Sequence, residues 1–207
     1  IVGAPDHGSR SGQAQIYTWN DGSESESETG AWGLVDAFYG EADDDKFGSS
    51  VALSADGLTA IIGAPYNVND NDEKSGDQSG HARIYTWDST NAVWVQQVEI
   101  NGEGDDDKFG YSVALSADGL TAIIGAPNND GLNDDKSNSG HAQIYELTGD
   151  RWVQQGADID GEASYDDSGS SVALSADGLT AIIGAPRNDR ENSSNSDNSG
   201  HARIYTW

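Results

Sequence analysis

Two runs of three aspartates, Asp43–Asp45 and Asp105–Asp107, are the densest groups of hard oxygen donors in the sequence. Asn128, Asp130 and Asp134 form a looser cluster of the same chemistry. Ca²⁺ takes six to eight oxygen ligands at flexible geometry, and these residues could supply them. Ca²⁺ is the one cofactor the sequence suggests. The competing reading is solvation, because runs of like charge in loops keep proteins soluble. His81, His141 and His201 recur every 60 residues. A catalytic residue is normally unique in its fold, so this repetition points to a structural part, such as a hydrogen bond at the start of a strand. A ring of imidazoles holding an anion or a metal is the alternative. Trp19, Trp87 and Trp207, and Trp32, Trp94 and Trp152, also repeat. They read as packing residues, with sugar stacking as the second reading. No set of nucleophile, base and orienting acid stands outside the repeats, and no glycine-rich phosphate loop is present. Paired acids abound, but in tandem in loops. General acid–base work needs one of a pair in dry surroundings. The chain is therefore read as non-catalytic.

Composition narrows the partners. Lys plus Arg is 10 against 36 Asp plus Glu, a net charge of −26. Nucleic acid needs a basic footprint, and an anionic membrane surface needs the same. Neither partner fits. With Cys 0, disulfides, thiolate metal sites and cysteine nucleophiles are excluded. No stretch approaches the ~20 apolar residues of a membrane helix, so direct membrane insertion is not expected. The opening Ile1-Val2-Gly3-Ala4-Pro5 reads as the middle of a repeat, and the chain is expected to be a fragment or a processed piece.

The elements that must position these residues are repeats. SVALSADGLTAIIGAP occurs at Ser50–Pro65, Ser112–Pro127 and Ser171–Pro186, with a partial copy at Ile1–Pro5. SG(H/Q)A(R/Q)IY occurs at Ser11–Tyr17, Ser79–Tyr85, Ser139–Tyr145 and Ser199–Tyr205. Each period holds four strand-like runs, Phe47–Ser54, Thr59–Ala64, His81–Trp87 and Val93–Ile100 in the second unit. They alternate large and small residues, or are β-branched and aromatic. No helical period is present. Ala55-Asp56-Gly57 is a hairpin turn. Asp56, Asp118 and Asp177 hold equivalent places and are read as turn residues. Four antiparallel strands per repeat predict an all-β fold, a β-propeller with one four-stranded blade per repeat. The boundaries follow: residues 1–40, a partial blade of strands two to four; 41–102 and 103–160, whole blades; 161–207, a partial blade of strands one to three.

The string Phe109-Gly110-Tyr111-Ser112-Val113-Ala114-Leu115, then Ala117-Asp118-Gly119, then Ile123-Ile124-Gly125-Ala126-Pro127, resembles the FG-GAP repeat. Integrin α-subunit propellers carry such repeats, and the W-x-Q-Q fourth strand is closer to the bacterial and algal variety. Ser168-Gly169 departs from the pattern in the last copy. The resemblance implies a ring of about seven blades, of which about three and a half, or fourteen strands, are expected here. It also implies an adhesion or interaction role outside the cell or at its surface. Integrin-type propellers bind Ca²⁺ in the first-to-second-strand loop through several aspartates. Here that loop is Ser54–Gly57, with one carboxylate, so those sites do not carry over.

Alternating strand direction puts the second-to-third and fourth-to-first loops on one face. Those loops hold most of the acids, and by the resemblance this is the face that meets partners. The reading is an interaction module binding a protein or glycan there. A structural subunit held among neighbouring subunits of a large extracellular assembly is the alternative, and an accessory domain of an enzyme comes third. Gly22–Gly30 is low-complexity. Asn192-Ser193-Ser194 is the single N-glycosylation sequon, so a glycoprotein is expected.

Overall fold

In the computed structural model, residues 1–21, 30–68, 78–131, 136–189 and 198–207 are described. They contain strands and no helix. The first sheet is β1 (Val2–Ala4), β2 (Gln13–Asn20) and β3 (Ala31–Tyr39). The second is β4 (Ser50–Leu53), β5 (Thr59–Ala64), β6 (His81–Asp88) and β7 (Val93–Asn101). The third is β8 (Ser112–Leu115), β9 (Thr121–Ala126), β10 (His141–Thr148), β11 (Arg151–Gln154) and β12 (Ile159–Asp160). The fourth is β13 (Ser171–Leu174), β14 (Thr180–Ala185) and β15 (His201–Thr206). Every pairing within the sheets is antiparallel. The four sheets form a partial β-propeller.

The core lies between sheets. In β5, Thr59–Ala64, every residue is buried, because successive side chains point to opposite faces and both faces are covered. Ile62 packs backwards with Ala14, Phe47 and Tyr85. Ile61 packs forwards with Phe109, Ala122 and Ile124 of the third sheet. The Ile-Ile pair of each repeat thus serves two interfaces. In the fourth sheet the equivalents part company: Ile183 is 2% exposed and Ile182 41%.

Two details differ from the sequence reading. The first strand begins at Ser50 rather than Phe47. Gly48 takes φ +88°, which breaks the run, and Phe47 instead bridges Gly12 of the preceding sheet. The fourth strand of the third blade is also not continuous, so the described residues hold fifteen strands rather than fourteen. In the first two sheets the fourth strand carries a bulge, with register shifts at Ile16/Tyr17 and Ile84/Tyr85. The third repeat has one residue more between its tryptophan and the following glycine, Trp152 to Gly161 against Trp94 to Gly102. The added length opens the bulge into a break. Gln155 N–H donates to Ile144 O at 2.7 Å, Gly156 turns at φ +74°, and pairing resumes at Ile159.

Candidate functional site

The loops before β4, β8 and β13 are built alike. The aspartate at the third triplet position of each is turned inward. Asp45, Asp107 and Asp166 are 1%, 3% and 2% exposed. Their carboxylates accept the N–H of Ala42, Gly104 and Ala163 at 2.9, 2.8 and 3.0 Å. Asp107 and Asp166 also accept the side-chain amides of Asn129 and Asn188, at 3.0 and 2.8 Å. Asn67 donates likewise to Asp45. Burial pushes the carboxyl groups of Asp45 and Asp107 above the usual range, opposed by these hydrogen bonds. The loop is stitched on its other side to the preceding blade. Lys46, Phe47, Lys108 and Phe109 donate their N–H to Arg10, Ser11, Gln78 and Ser79 carbonyls. Asp44 and Asp106 sit at φ +71° and +69°, in the left-handed region. That twist turns each triplet's second residue outward while its third points in.

Each triplet is therefore split between outward and inward residues. Asp43, Asp44, Asp105 and Asp106 are exposed, and Asp45 and Asp107 are occupied by amide donors. Asp44 pairs with Arg10 at 2.6 Å and Asp106 with Lys108 at 2.6 Å. Asp130 closes its own loop by accepting Asn138 N–H at 2.8 Å. Asn128 is half-buried and donates its N–H to Asp107 O at 3.3 Å. Its neighbour Asn129 makes the side-chain latch. Asp134 and Asn192 lie outside the described residues. Asp56, Asp118 and Asp177 each accept a serine hydroxyl, from Ser54, Ser116 and Ser175, at 2.6, 2.6 and 2.5 Å. They also accept the N–H of Leu58, Leu120 and Leu179. These bonds hold the carboxyl groups of Asp56 and Asp177 below the usual range.

The histidines begin β6, β10 and β15, at the joints between sheets. Nε2 of His81 and of His141 is buried without a partner among the described residues. Their rings meet the edges of Phe47 and Phe109, with centroids 6.3 and 6.4 Å apart. Two residues on, Arg83 is buried and spans two carboxylates, Glu41 at 2.6 Å and Glu99 at 2.7 Å. In the next joint Gln143 takes the same place and donates to Glu103 at 3.1 Å and Asp158 at 2.9 Å. In the last, Arg203 pairs with Glu162.

Burial, reinforced by the Arg83 charge, depresses the His81 imidazole to about 3. A neutral ring has no pull on an anion. It does carry a pH dependence. Above about pH 6.5 both folded and unfolded chains hold it neutral. Below that, the unfolded chain takes a proton that the folded chain refuses until about pH 3. Stability should fall through this window, by on the order of 4 kcal/mol at its lower end. The raised Asp45 and Asp107 act in the opposite sense, since the folded chain takes up their protons first. Urea unfolding from pH 6.5 to 3.5 should show this loss, and His81→Leu should flatten it. Equal slopes for the two proteins would contradict it.

The FG-GAP repeat model matches residues 40–85, 94–145 and 157–205. The chain belongs to the FG-GAP repeat family. No curated protein matches it. Among solved structures it is similar to a crystal structure of a protein from Lactobacillus plantarum, determined by the Northeast Structural Genomics Consortium. That likeness covers 94% of this chain and 45% of the other, at 13% identity and a TM-score of 0.51. The chain thus spans under half the length of that relative. At such identity the likeness concerns the fold alone.

The FG-GAP motif has a physical basis here. The GAP glycine of one blade lies against the FG glycine of the next. A Cβ on Gly63 would overlap the backbone carbonyl of Gly110, and one on Gly125 that of Gly169. Ser50 and Ser112 hydroxyls donate to those same carbonyls at 2.7 Å. The two glycines of the motif set the spacing between blades.

Proposed function

We propose that this FG-GAP chain is a non-catalytic interaction module, outside the cell or at its surface, whose acidic loop face binds a protein with a basic surface. One observation carries the reading. Asp43, Asp44, Asp105 and Asp106 stand exposed on loops that Asp45 and Asp107 hold rigid from beneath. Like charges fixed on a stiff platform give a patterned field, which steers and orients a complementary partner. The extracellular setting rests on the kinship of FG-GAP repeats with integrin propellers.

A charge-matched pair of variants tests it. Asp43→Asn with Asp105→Asn removes two charges from the loop face. Glu146→Gln with Asp150→Asn removes two exposed charges at the opposite end of the strands. The probe is a lysine- and arginine-rich peptide, titrated at several salt concentrations. The loop-face pair should weaken binding by about tenfold, or about 1.4 kcal/mol, and the other pair little. Equal weakening would mean that bulk charge alone attracts the peptide, against the proposal.

A further inference from the structure

The three joints between sheets share a frame but not a charge. In the first, the Arg83 guanidinium lies between Glu41 and Glu99. In the third, Arg203 meets Glu162. In the second, Gln143 stands at the arginine position and the two carboxylates remain, Glu103 and Asp158. No lysine or arginine among the described residues pairs with either of them. A neutral amide satisfies hydrogen bonds but does not offset two negative charges. The burial of Tyr145 beside them, together with their charges, drives its phenol up to about 12.

His141 completes the group. Its side chain is 1% exposed. Its Nδ1 faces Asp158 Oδ2 at 3.9 Å, beyond hydrogen-bond reach, and its Nε2 has no partner among the described residues. One ligand atom from each of Glu103, His141 and Asp158 lies within 4.8 Å of the others. Two ligands about 2.1 Å from an ion stand at most about 4.2 Å apart. Small rotations of the exposed Glu103 side chain would close the difference. Asp158 is already aimed, since its Oδ1 accepts Gln143 and Gln154 amides at 2.9 and 2.6 Å. Asp158 precedes Ile159 as Glu99 precedes Ile100, so it holds the place that Glu99 has in the neighbouring joint.

We propose that Glu103, His141 and Asp158 form a site for one divalent transition-metal cation, the charge that arginine supplies in the neighbouring joint. An imidazole with two carboxylates suits Zn²⁺ better than Ca²⁺, which takes oxygen ligands. Three protein ligands leave a coordination position for water. Binding at Nδ1 places the imidazole proton on Nε2, which has no buried acceptor, so the affinity falls below that of a closed structural site. Glu103 belongs to the same loop as Asp105 and Asp106, but the test uses the metal without the peptide and so is independent of partner binding.

The probe is Zn²⁺ alone, titrated calorimetrically into the chelator-treated full chain, with thermal melting alongside. One equivalent should bind and raise the melting temperature. Gln143→Arg rebuilds the neighbouring joint's ion pairs and should abolish that equivalent without lowering the metal-free melting temperature. Glu103→Gln, at an exposed position, should weaken it at least tenfold and keeps the test valid if the arginine variant fails to fold. No heat with the parent protein would overturn the proposal. Zinc binding that both variants leave unchanged would overturn it too, by assigning the metal to other groups.

Discussion

Gly63→Ala should unfold or split the propeller, at a cost of about 3 kcal/mol or more, while Gly184→Ala should change stability by about 1 kcal/mol or less. The two glycines hold the same place in their repeats. The added methyl at Gly63 meets the backbone carbonyl of Gly110 and the Ser50 hydroxyl. That carbonyl belongs to the next blade and already accepts Ser50 Oγ–H at 2.7 Å. Relief requires the two sheets to move apart, which exposes Ile61, Ile84 and Phe109, all fully buried. At Gly184 the methyl meets only the Ser171 hydroxyl at close range, and a side chain can rotate away. Urea unfolding of the two variants against the parent measures the difference. Similar losses would mean that the glycine–glycine contact does not set blade spacing.

The second large effect is at Asp107. Asp107→Ala should cost about 2–3 kcal/mol, and Asp107→Asn less than about 1 kcal/mol. Removing the carboxylate strands the N–H of Gly104 and the amide of Asn129, which is 8% exposed. Both donate to the same oxygen, Oδ2. An asparagine can place its single carbonyl oxygen there and keep both bonds. It also removes a charge whose burial is unfavourable, as its raised pKa indicates. A metal ligand would behave otherwise, since the amide would forfeit the charge a cation needs. Unfolding midpoints in buffer with chelator and with added Ca²⁺ separate the cases. Equal damage from alanine and asparagine would contradict the latch.

The blades were legible because each rests on local signals that repeat. Period-two alternation, ADG turns and the proline after each second strand place the strands to within a few residues. The burial of both faces of Thr59–Ala64 is legible from its residues, which after Thr59 are all apolar or glycine. The site was less so. Three consecutive aspartates look equivalent as residues, and only the backbone at Asp44 and Asp106 separates them. A signal did exist. The fourth repeat reads Ser164-Tyr165-Asp166, so only the third acid persists through the copies. The same comparison sets Asn129 apart from Asn128, since Asn67, Asn129 and Asn188 share one position. The charge difference between the joints was hidden for another reason. Arg83 and Gln143 are variants of one motif position, and their partners, Glu41 with Glu99 and Glu103 with Asp158, come together only when the sheets stack. The break at Gly156 follows from a single added residue, whose effect depends on a bulge that sequence does not announce.

On the proposed reading, rigid, outward-facing aspartates of the loop face receive the partner. Backbone amide hydrogen exchange with and without the basic peptide distinguishes this from diffuse attraction. Slowed exchange over residues 42–47 and 104–109, with none over 55–58, 88–92 and 148–151 at the other end of the strands, is the predicted result. Protection confined to the opposite end, or spread evenly over both, would contradict it.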